Sequence, residues 1–253
     1  SESPFDLLAK LRQQQVEEYN NSIGDMDEID CKICLNRGHI AYLENGYQGN
    51  RECECMEKRR NVRRLRQSGL EEIAKTKRLD NFIAKSEWQK FILEKAKKYM
   101  ASPDRMFFIG GQVGAGKTHI CTAICMDLIG KGFRTKYMIW TTEAARIKFD
   151  MQDYDRIMNE LAGYPVLYID DLFKTTGSGK VSDVEIRLMF DIINHRYNNR
   201  NLITIISSER TIQEIMELDQ AIGSRIYEMS KESIINIPKD KTKNQRLGGQ
   251  HAK

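Results

Sequence analysis

Nine consecutive residues, Gly110-Gly111-Gln112-Val113-Gly114-Ala115-Gly116-Lys117-Thr118, restrict the possible folds of this chain more than any other stretch. Residues 111–118 match G-x-x-x-x-G-K-[ST]. In that pattern glycines let the backbone curl closely enough to aim several N–H groups at a polyphosphate. The flanks fit the motif. Arg105-Met106-Phe107-Phe108-Ile109 reads as a buried strand, and Ile120, Cys121, Ile124, Cys125, Leu128 and Ile129 recur at helical spacing. Strand, glycine loop and helix in that order place an anion at a helix N-terminus, where the dipole and unpaired N–H groups favour it. Gly111, Gln112, Val113, Gly114, Ala115, Gly116, Lys117, Thr118 and His119 are therefore expected to line a nucleoside triphosphate. Lys117 reaches the β/γ-phosphates and the Thr118 hydroxyl serves Mg²⁺.

The same region goes on to alternate strand and helix, the mark of an α/β domain with a parallel sheet. Trp88 to Tyr99 is helical, and Tyr137-Met138-Ile139-Trp140 and Pro165-Val166-Leu167-Tyr168-Ile169 are strands. The third strand ends in Asp170-Asp171. Carboxylates at the C-terminal edge of a parallel strand face the ligand crevice, so Asp170 is expected to hold the metal through water and Asp171 to orient or deprotonate the attacking water. An amphipathic helix follows through Ile186, Met189, Phe190, Ile193 and Tyr197, after a flexible Lys174–Lys180 loop. Leu202–Ile206 forms a fourth strand ending in Ser207-Ser208-Glu209, an edge from which a polar residue can reach the γ-phosphate or the water. Ile234–Ile237 forms a fifth, and the basic tail beyond Pro238 lacks apolar periodicity. On pattern alone, Arg225 reads equally well as a surface ion pair or a functional residue.

The N-terminal part has another chemistry. Phe5, Leu7, Leu8 and Leu11 lie on a short amphipathic helix running towards Tyr19, its apolar stripe equally suited to internal packing or to a partner. Cys31-x-x-Cys34, an eighteen-residue spacer and Cys53-x-Cys55 come next, around a hairpin turning at Asn45-Gly46. Two close cysteine pairs brought together by a hairpin supply four thiolates to Zn²⁺, with His39 in reserve. Cys121 and Cys125, in the helix after the glycine loop, read as buried apolar side chains. Residues 1–57 carry 5 Lys/Arg against 12 Asp/Glu, whereas residues 58–78 carry 9 against 2. A module that reads duplex DNA needs cations for the phosphates. This head has the opposite sign, so it is expected to dock a protein, the metal contributing the folding energy that few apolar residues supply. The basic stretch, with Arg59, Arg63 and Arg66 on one helical face, reads as a solvated surface or a transient phosphate contact. The division is then a zinc-binding docking domain at 1–57, a basic linker at 58–80 and an ATPase domain at 81–253. With 30% charged residues and no apolar run of membrane-spanning length, a cytoplasmic chain is expected.

Taken together, the paired cysteines, the basic stretch ending Ser68-Gly69-Leu70, Gly-Gln-Val-Gly-Ala-Gly-Lys-Thr-His, Tyr-Ile-Asp-Asp-Leu-Phe-Lys, Ile-Ile-Ser-Ser-Glu and Gly-Ser-Arg-Ile resemble the DnaC/DnaI-type replicative helicase loaders of bacteria and phages, in the AAA+ class. The resemblance implies a five-stranded parallel sheet, Ser208 at the first sensor position, and Arg225 as an arginine finger reaching a neighbouring subunit's nucleotide. It also implies a head that grips a hexameric helicase, self-association through Arg225 and contact with single-stranded DNA, for which Lys174 and Lys180 stand as contacts. Two departures are visible. Asp171 stands where most AAA+ proteins have Glu, one methylene longer, and so few residues follow the fifth strand that the helical lid is expected to be missing or vestigial. Any second-sensor role then falls to Arg246. Both features suit a slow, partner-stimulated ATPase. The alternatives are a transposition helper ATPase acting on duplex DNA, a small-molecule kinase, which needs a lid and an acceptor site, and a zinc adaptor with a vestigial site, which would have lost Lys117 or Asp170.

Overall fold

The computed structural model describes residues 4–149, 154–175 and 179–246. Thr176, Gly177 and Ser178 of the expected flexible loop, and the tail from residue 247, lie outside the described residues. The chain divides into two compact units, 1–63 and 64–253, the division falling inside a helix. Among the described residues, no helix is long and apolar enough to cross a membrane.

The smaller unit opens with helix α1 (Pro4–Asn21), continues through strands β1 (His39–Glu44) and β2 (Tyr47–Glu52), and closes with the start of helix α2 (Cys55–Ser68). The hairpin registers Glu44 opposite Tyr47. Asn45 and Gly46 both take positive φ, as a two-residue turn matching the strand twist requires. α1 is tied down at its far end, where Asn20 exchanges two hydrogen bonds with the Ala41 backbone at 2.9 and 3.0 Å. At its near end Phe5, Leu7, Leu8 and Leu11 are exposed, so the apolar stripe is not internal packing.

The basic stretch is less solvated than its charge suggests. Arg59 is fully buried and donates to Glu28, to the Ile29 carbonyl and to Asn36, while its Nε faces Cys55 Sγ at 3.5 Å. Arg63 also bonds Glu28, and Arg60 pairs with Glu52 and Glu57. Arg59 therefore leaves the expected solvated face and holds the head's own Glu28 loop, whereas Arg63 and Arg66 stay exposed on that face. Glu28 is drawn down to about 2, chiefly by its hydrogen bond to Arg63.

In the larger unit, α3 (Glu71–Ala74), a short 3₁₀ turn (Leu79–Asn81) and α4 (Glu87–Ala101) precede a five-stranded sheet. Its strands are β3 (Met106–Gly111), β4 (Thr135–Ile139), β5 (Val166–Leu172), β6 (Ile203–Ser208) and β7 (Ile234–Ile237). They lie parallel in the order β4-β5-β6-β3-β7. Both faces are covered. Met106, Phe108, Leu167, Ile169 and Ile206 face one core, with α6 (Trp140–Phe149), α7 (Tyr154–Gly163), α8 (Asp183–Asn198), α9 (Ile212–Leu218) and α10 (Gln220–Met229). Phe107, Ile109, Val166, Tyr168 and Ile205 face the other, with α4 and α5 (Lys117–Gly130). Burial on both faces is why these strands read as unbroken apolar runs.

One residue changes element. Trp140 opens α6 instead of ending a strand; it is fully buried and hydrogen-bonds Glu185 at 3.3 Å. Buried Arg196 makes no ion pair among the described residues and instead donates to Thr204 Oγ1 and the carbonyls of Ala162, Tyr164 and Ile203, pinning the end of α7 to β6.

Candidate functional site

Gly111 ends β3 with φ +107°, and a Cβ there would lie 2.0 Å from the Ile237 carbonyl of β7. Only glycine lets the loop leave the sheet while Gln112 N–H still bonds that carbonyl at 3.1 Å. Gly116 caps α5 in the left-handed conformation, directing the helix N-terminus into the cleft. Lys117 is buried, its ammonium donating to the Gly111 and Gln112 carbonyls at 2.9 and 2.6 Å. Burial lowers its pKa, opposed by the charges of Glu209 and Asp171. The His119 ring donates to the Arg78 carbonyl at 2.6 Å and packs edge-on against Phe82.

The cleft, of about 310 Å³, is lined by Val113, Gly114, Gly116, Lys117, Thr118 and His119 together with Asp171, Lys174, Glu209, Gln245 and Arg246. A roomier groove of about 1080 Å³ between α3, α4 and α5 contains no residue of the glycine loop. Buried Asp170 sits behind Thr118 and accepts hydroxyl hydrogen bonds from four sides. Thr118 (3.1 Å), Tyr168 (2.8 Å) and Ser207 reach Oδ1, and Tyr137 (3.0 Å) reaches Oδ2. Four donors on one carboxylate fix its orientation. The Thr118–Asp170 separation also suits two adjacent ligands of an octahedral Mg²⁺, which at 2.0–2.1 Å from the metal stand about 3 Å apart.

Asp171 takes φ +57°, its N–H bonds Ser207 Oγ at 3.1 Å, and its Oδ2 accepts from Lys174 at 2.8 Å. Lys174 also meets Glu209 at 3.1 Å, so it lies at the cleft between two acids; Lys180 is exposed. Ser208 is turned away as well. Its buried hydroxyl donates to the Leu172 carbonyl at 2.7 Å, and the residues that reach the cleft from this edge are Ser207, through Asp170, and Glu209. Strand alternation is the reason: Ser207 and Ser208 point to opposite faces. Arg225, on α10, does not line its own chain's cleft. Its guanidinium lies over the Phe190 and Tyr197 rings at 5.4 and 5.6 Å and donates to the Ala221 carbonyl. The sequence gives no sign of Tyr137 and Tyr168, and it marks Ser207 and Glu209 only as members of a polar strand end, without separating them from Ser208.

In the smaller unit the sulfurs of Cys31, Cys34, Cys53 and Cys55 all lie within 4.8 Å of one another, every one of these residues buried and none in a disulfide. Cys31 and Cys53 are 3.8 Å apart, and Cys34 and Cys55 are 3.6 Å apart. Four sulfurs about 2.3 Å from one tetrahedral ion stand about 3.8 Å from each other, so the residues fit a Cys₄ metal centre. His39 is not part of the cluster. Gly38 N–H donates to Cys34 Sγ at 3.3 Å. Burial raises the Cys34 thiol, but that amide and the neighbouring sulfurs outweigh it and bring the thiol down to about 6. Cys121 and Cys125 are fully enclosed in the core of the larger unit, where burial holds their thiols up and unreactive.

A glycine loop at a helix N-terminus, a threonine–aspartate pair behind it and a doubly covered parallel sheet define an ATP-binding ATPase of the phosphate-loop class. The model of the IstB-like ATP-binding protein family matches residues 46–226, and the chain belongs to that family. Among relatives of Bacillus subtilis (strain 168), the uncharacterized protein YqaM is 31% identical over 79% of this chain and 67% of its own length. Phage-like element PBSX protein XkdC is 29% identical over 84% of each. The replicative helicase loader DnaC of Escherichia coli (strain K12) is 24% identical over 70% of this chain and 71% of its own. Crystal structures of the DnaC helicase loader (TM-score 0.54, 23% identity, 66% of this chain and 99% of that one) and of DnaI (0.53, 20%, 66% and 93%) share the AAA+ fold.

Proposed function

We propose that this chain is an ATP-dependent loader that holds a hexameric replicative helicase through its cysteine module and places it on single-stranded DNA, ATP binding and hydrolysis timing the release. The observation that carries the reading is the character of the module joined to the ATPase. Residues 1–57 are acidic, and Arg59, Arg60 and Arg63 are paired with Glu28, Glu52 and Glu57, so the head suits a protein partner better than a phosphate backbone. The relative named a replicative helicase loader and the fold shared with DnaC and DnaI support the same choice.

In this reading Zn²⁺ occupies the four cysteines and Thr118 and Asp170 serve Mg²⁺. Lys117 neutralises the β/γ-phosphates, and Asp171 orients the water. Arg225, away from its own chain's cleft, completes the site of a neighbouring copy. The docking region is residues 1–57, followed by the basic stretch to residue 80 and the ATPase from 81. Hydrolysis is slow until a partner engages.

A second reading, a transposition helper acting on duplex DNA, is favoured by the family description, which names an IstB-like protein. That family match begins at residue 46, beyond Cys31 and Cys34, so it takes in only two of the four cysteines of the head. Gel filtration of the full chain with its host's hexameric helicase, and separately with duplex DNA, divides the two. The loader co-elutes with helicase and keeps doing so as Lys117→Ala, which no longer binds ATP. Co-elution with duplex DNA alone would favour the second reading.

A further inference from the structure

The residue that leaves strand β5 for the next loop does not point outward. Lys174 lies between two acids of the cleft, its Nζ 2.8 Å from Asp171 Oδ2 and 3.1 Å from Glu209 Oε1. The turn that puts it there is tight and strained. Asp171 and Phe173 both adopt left-handed φ, +57° and +56°, which side chains other than glycine take at a cost. The turn is braced from β6: Ser208 Oγ holds the Leu172 carbonyl, Arg210 Nε holds the Phe173 carbonyl at 3.3 Å, and Lys174 N–H closes onto the Asp171 carbonyl at 3.0 Å. The Phe173 ring is buried edge-on against Trp140. A strained conformation braced this firmly fixes where Lys174 can reach.

The consequence concerns Asp171, given above the task of orienting or deprotonating the attacking water. The ammonium at 2.8 Å occupies Oδ2 and fixes the carboxylate's orientation, so a water must compete with it there or be met by Oδ1 alone. Resting on the reading of Asp171 as the water-directing acid, we propose that Lys174 is a positioning residue that holds Asp171 out of action, and that Glu209 is the acceptor to which it withdraws when hydrolysis begins. Glu209 makes the withdrawal feasible. An ammonium with one acceptor would be stranded in a half-buried cleft on leaving it, whereas Lys174 exchanges two ion pairs for one. Its ammonium pKa is raised by the hydrogen bond to Asp171 and then by Glu209, which keeps it cationic throughout. A low basal rate is thereby built into the chain, and it depends on neither the shorter acid nor the missing arginine of a neighbour.

The test measures Mg²⁺-dependent ATP hydrolysis and fluorescent-ATP affinity on the full-length protein. Lys174→Met should raise the basal rate about threefold to fivefold, the range for releasing a partly exposed ion pair. ATP affinity should stay within about threefold of wild type, as expected where the altered pair is not itself a main ligand contact. Lys174→Arg, which keeps the charge, stays near the wild-type rate. Glu209→Gln lowers the rate, and the double variant Lys174→Met/Glu209→Gln hydrolyses like Lys174→Met, because Glu209 acts only through Lys174. A Lys174→Met rate at or below wild type overturns the lock, as does a double variant as slow as Glu209→Gln, which would make Glu209 a catalytic residue in its own right. Asp171→Asn separates this from the underlying reading. If it abolishes hydrolysis while Lys174→Met has no effect, the lock falls and the role of Asp171 stands. If Asp171→Asn hydrolyses like wild type, both fall.

Discussion

Ser207 and Ser208 are adjacent, equally buried and each engaged in two hydrogen bonds, yet only Ser207 touches the acids. Ser207→Ala removes a donor to Asp170 and leaves the Asp171 N–H without its acceptor. A hydrogen bond to a charged group is worth roughly 1.5–3 kcal/mol, and an unsatisfied polar group costs roughly 1–3 kcal/mol. Asp170 keeps three other hydroxyl donors and Asp171 is only half-buried, so the low ends apply and the loss is about 2.5 kcal/mol. For a unit of this size that corresponds to a melting temperature about 5–10 °C lower. Ser208→Ala loses bonds to the Leu172 carbonyl and the Arg210 N–H, both neutral, for about 2 kcal/mol. Stability therefore falls by similar amounts in the two variants. Hydrolysis separates them. With both acids loosened, Ser207→Ala should lower kcat at least about tenfold, since misplacement by a fraction of an ångström is costly in a preorganised site. Ser208→Ala should stay within about threefold of wild type, as a group outside the reacting geometry should. Urea denaturation gives the first quantity and a phosphate-release assay the second, with Ser207→Thr as the rescue. If Ser208→Ala is the slower enzyme, the hydroxyl at the end of β6 that matters is the one expected from the resemblance, and the geometry described here does not govern the reaction.

Two further outcomes follow. Arg225→Ala should keep ATP affinity and lose partner-stimulated hydrolysis, because the guanidinium is absent from its own chain's cleft; stimulation equal to wild type refutes the trans role. Glu185 caps α8 and bonds Lys148 and Trp140; burial pushes its pKa up, but the Ser182 amide and Lys148 outweigh this and leave it lowered. Its contribution is complete above the ordinary carboxylate range and fades as pH falls through the lower folded value. Denaturation midpoints should therefore fall more steeply below about pH 4.5 in wild type than in Glu185→Gln; parallel profiles would show the carboxylate to be uninvolved.

What could be read from the residues alone was whatever local spacing encodes. The glycine loop, the Asn45-Gly46 turn, the cysteine spacings and the acid-tipped strand all declare themselves within a few neighbouring positions. The partners of Asp170 do not. Tyr137 and Ser207 reach it only because β4 and β6 flank β5, with Ile139 opposite Asp170 and Ile206 opposite Ile169, and strand order is not a local property. The basic stretch misleads for the same reason, since Arg59 and Arg63 meet Glu28 across some thirty residues of chain. Trp140 looked like the last residue of a strand because an aromatic after Tyr137-Met138-Ile139 continues the apolar run. Its indole N–H instead needed Glu185, which helix α6 brings within reach. Lys174 opens a loop that reads as flexible from its composition, and only the left-handed turn at Asp171 and Phe173 shows it set against two acids.

The cysteine cluster and the nucleotide cleft share no residue, and a chelator titration of the full-length protein reads both at once. Adding a thiol-compatible zinc chelator while following helicase co-elution and fluorescent-ATP affinity should release one metal per chain and abolish helicase binding. ATP affinity should stay within about twofold, because the cysteine cluster contributes no residue to the nucleotide cleft. Helicase binding that survives complete removal of the metal would contradict the assignment of docking to the cysteine module.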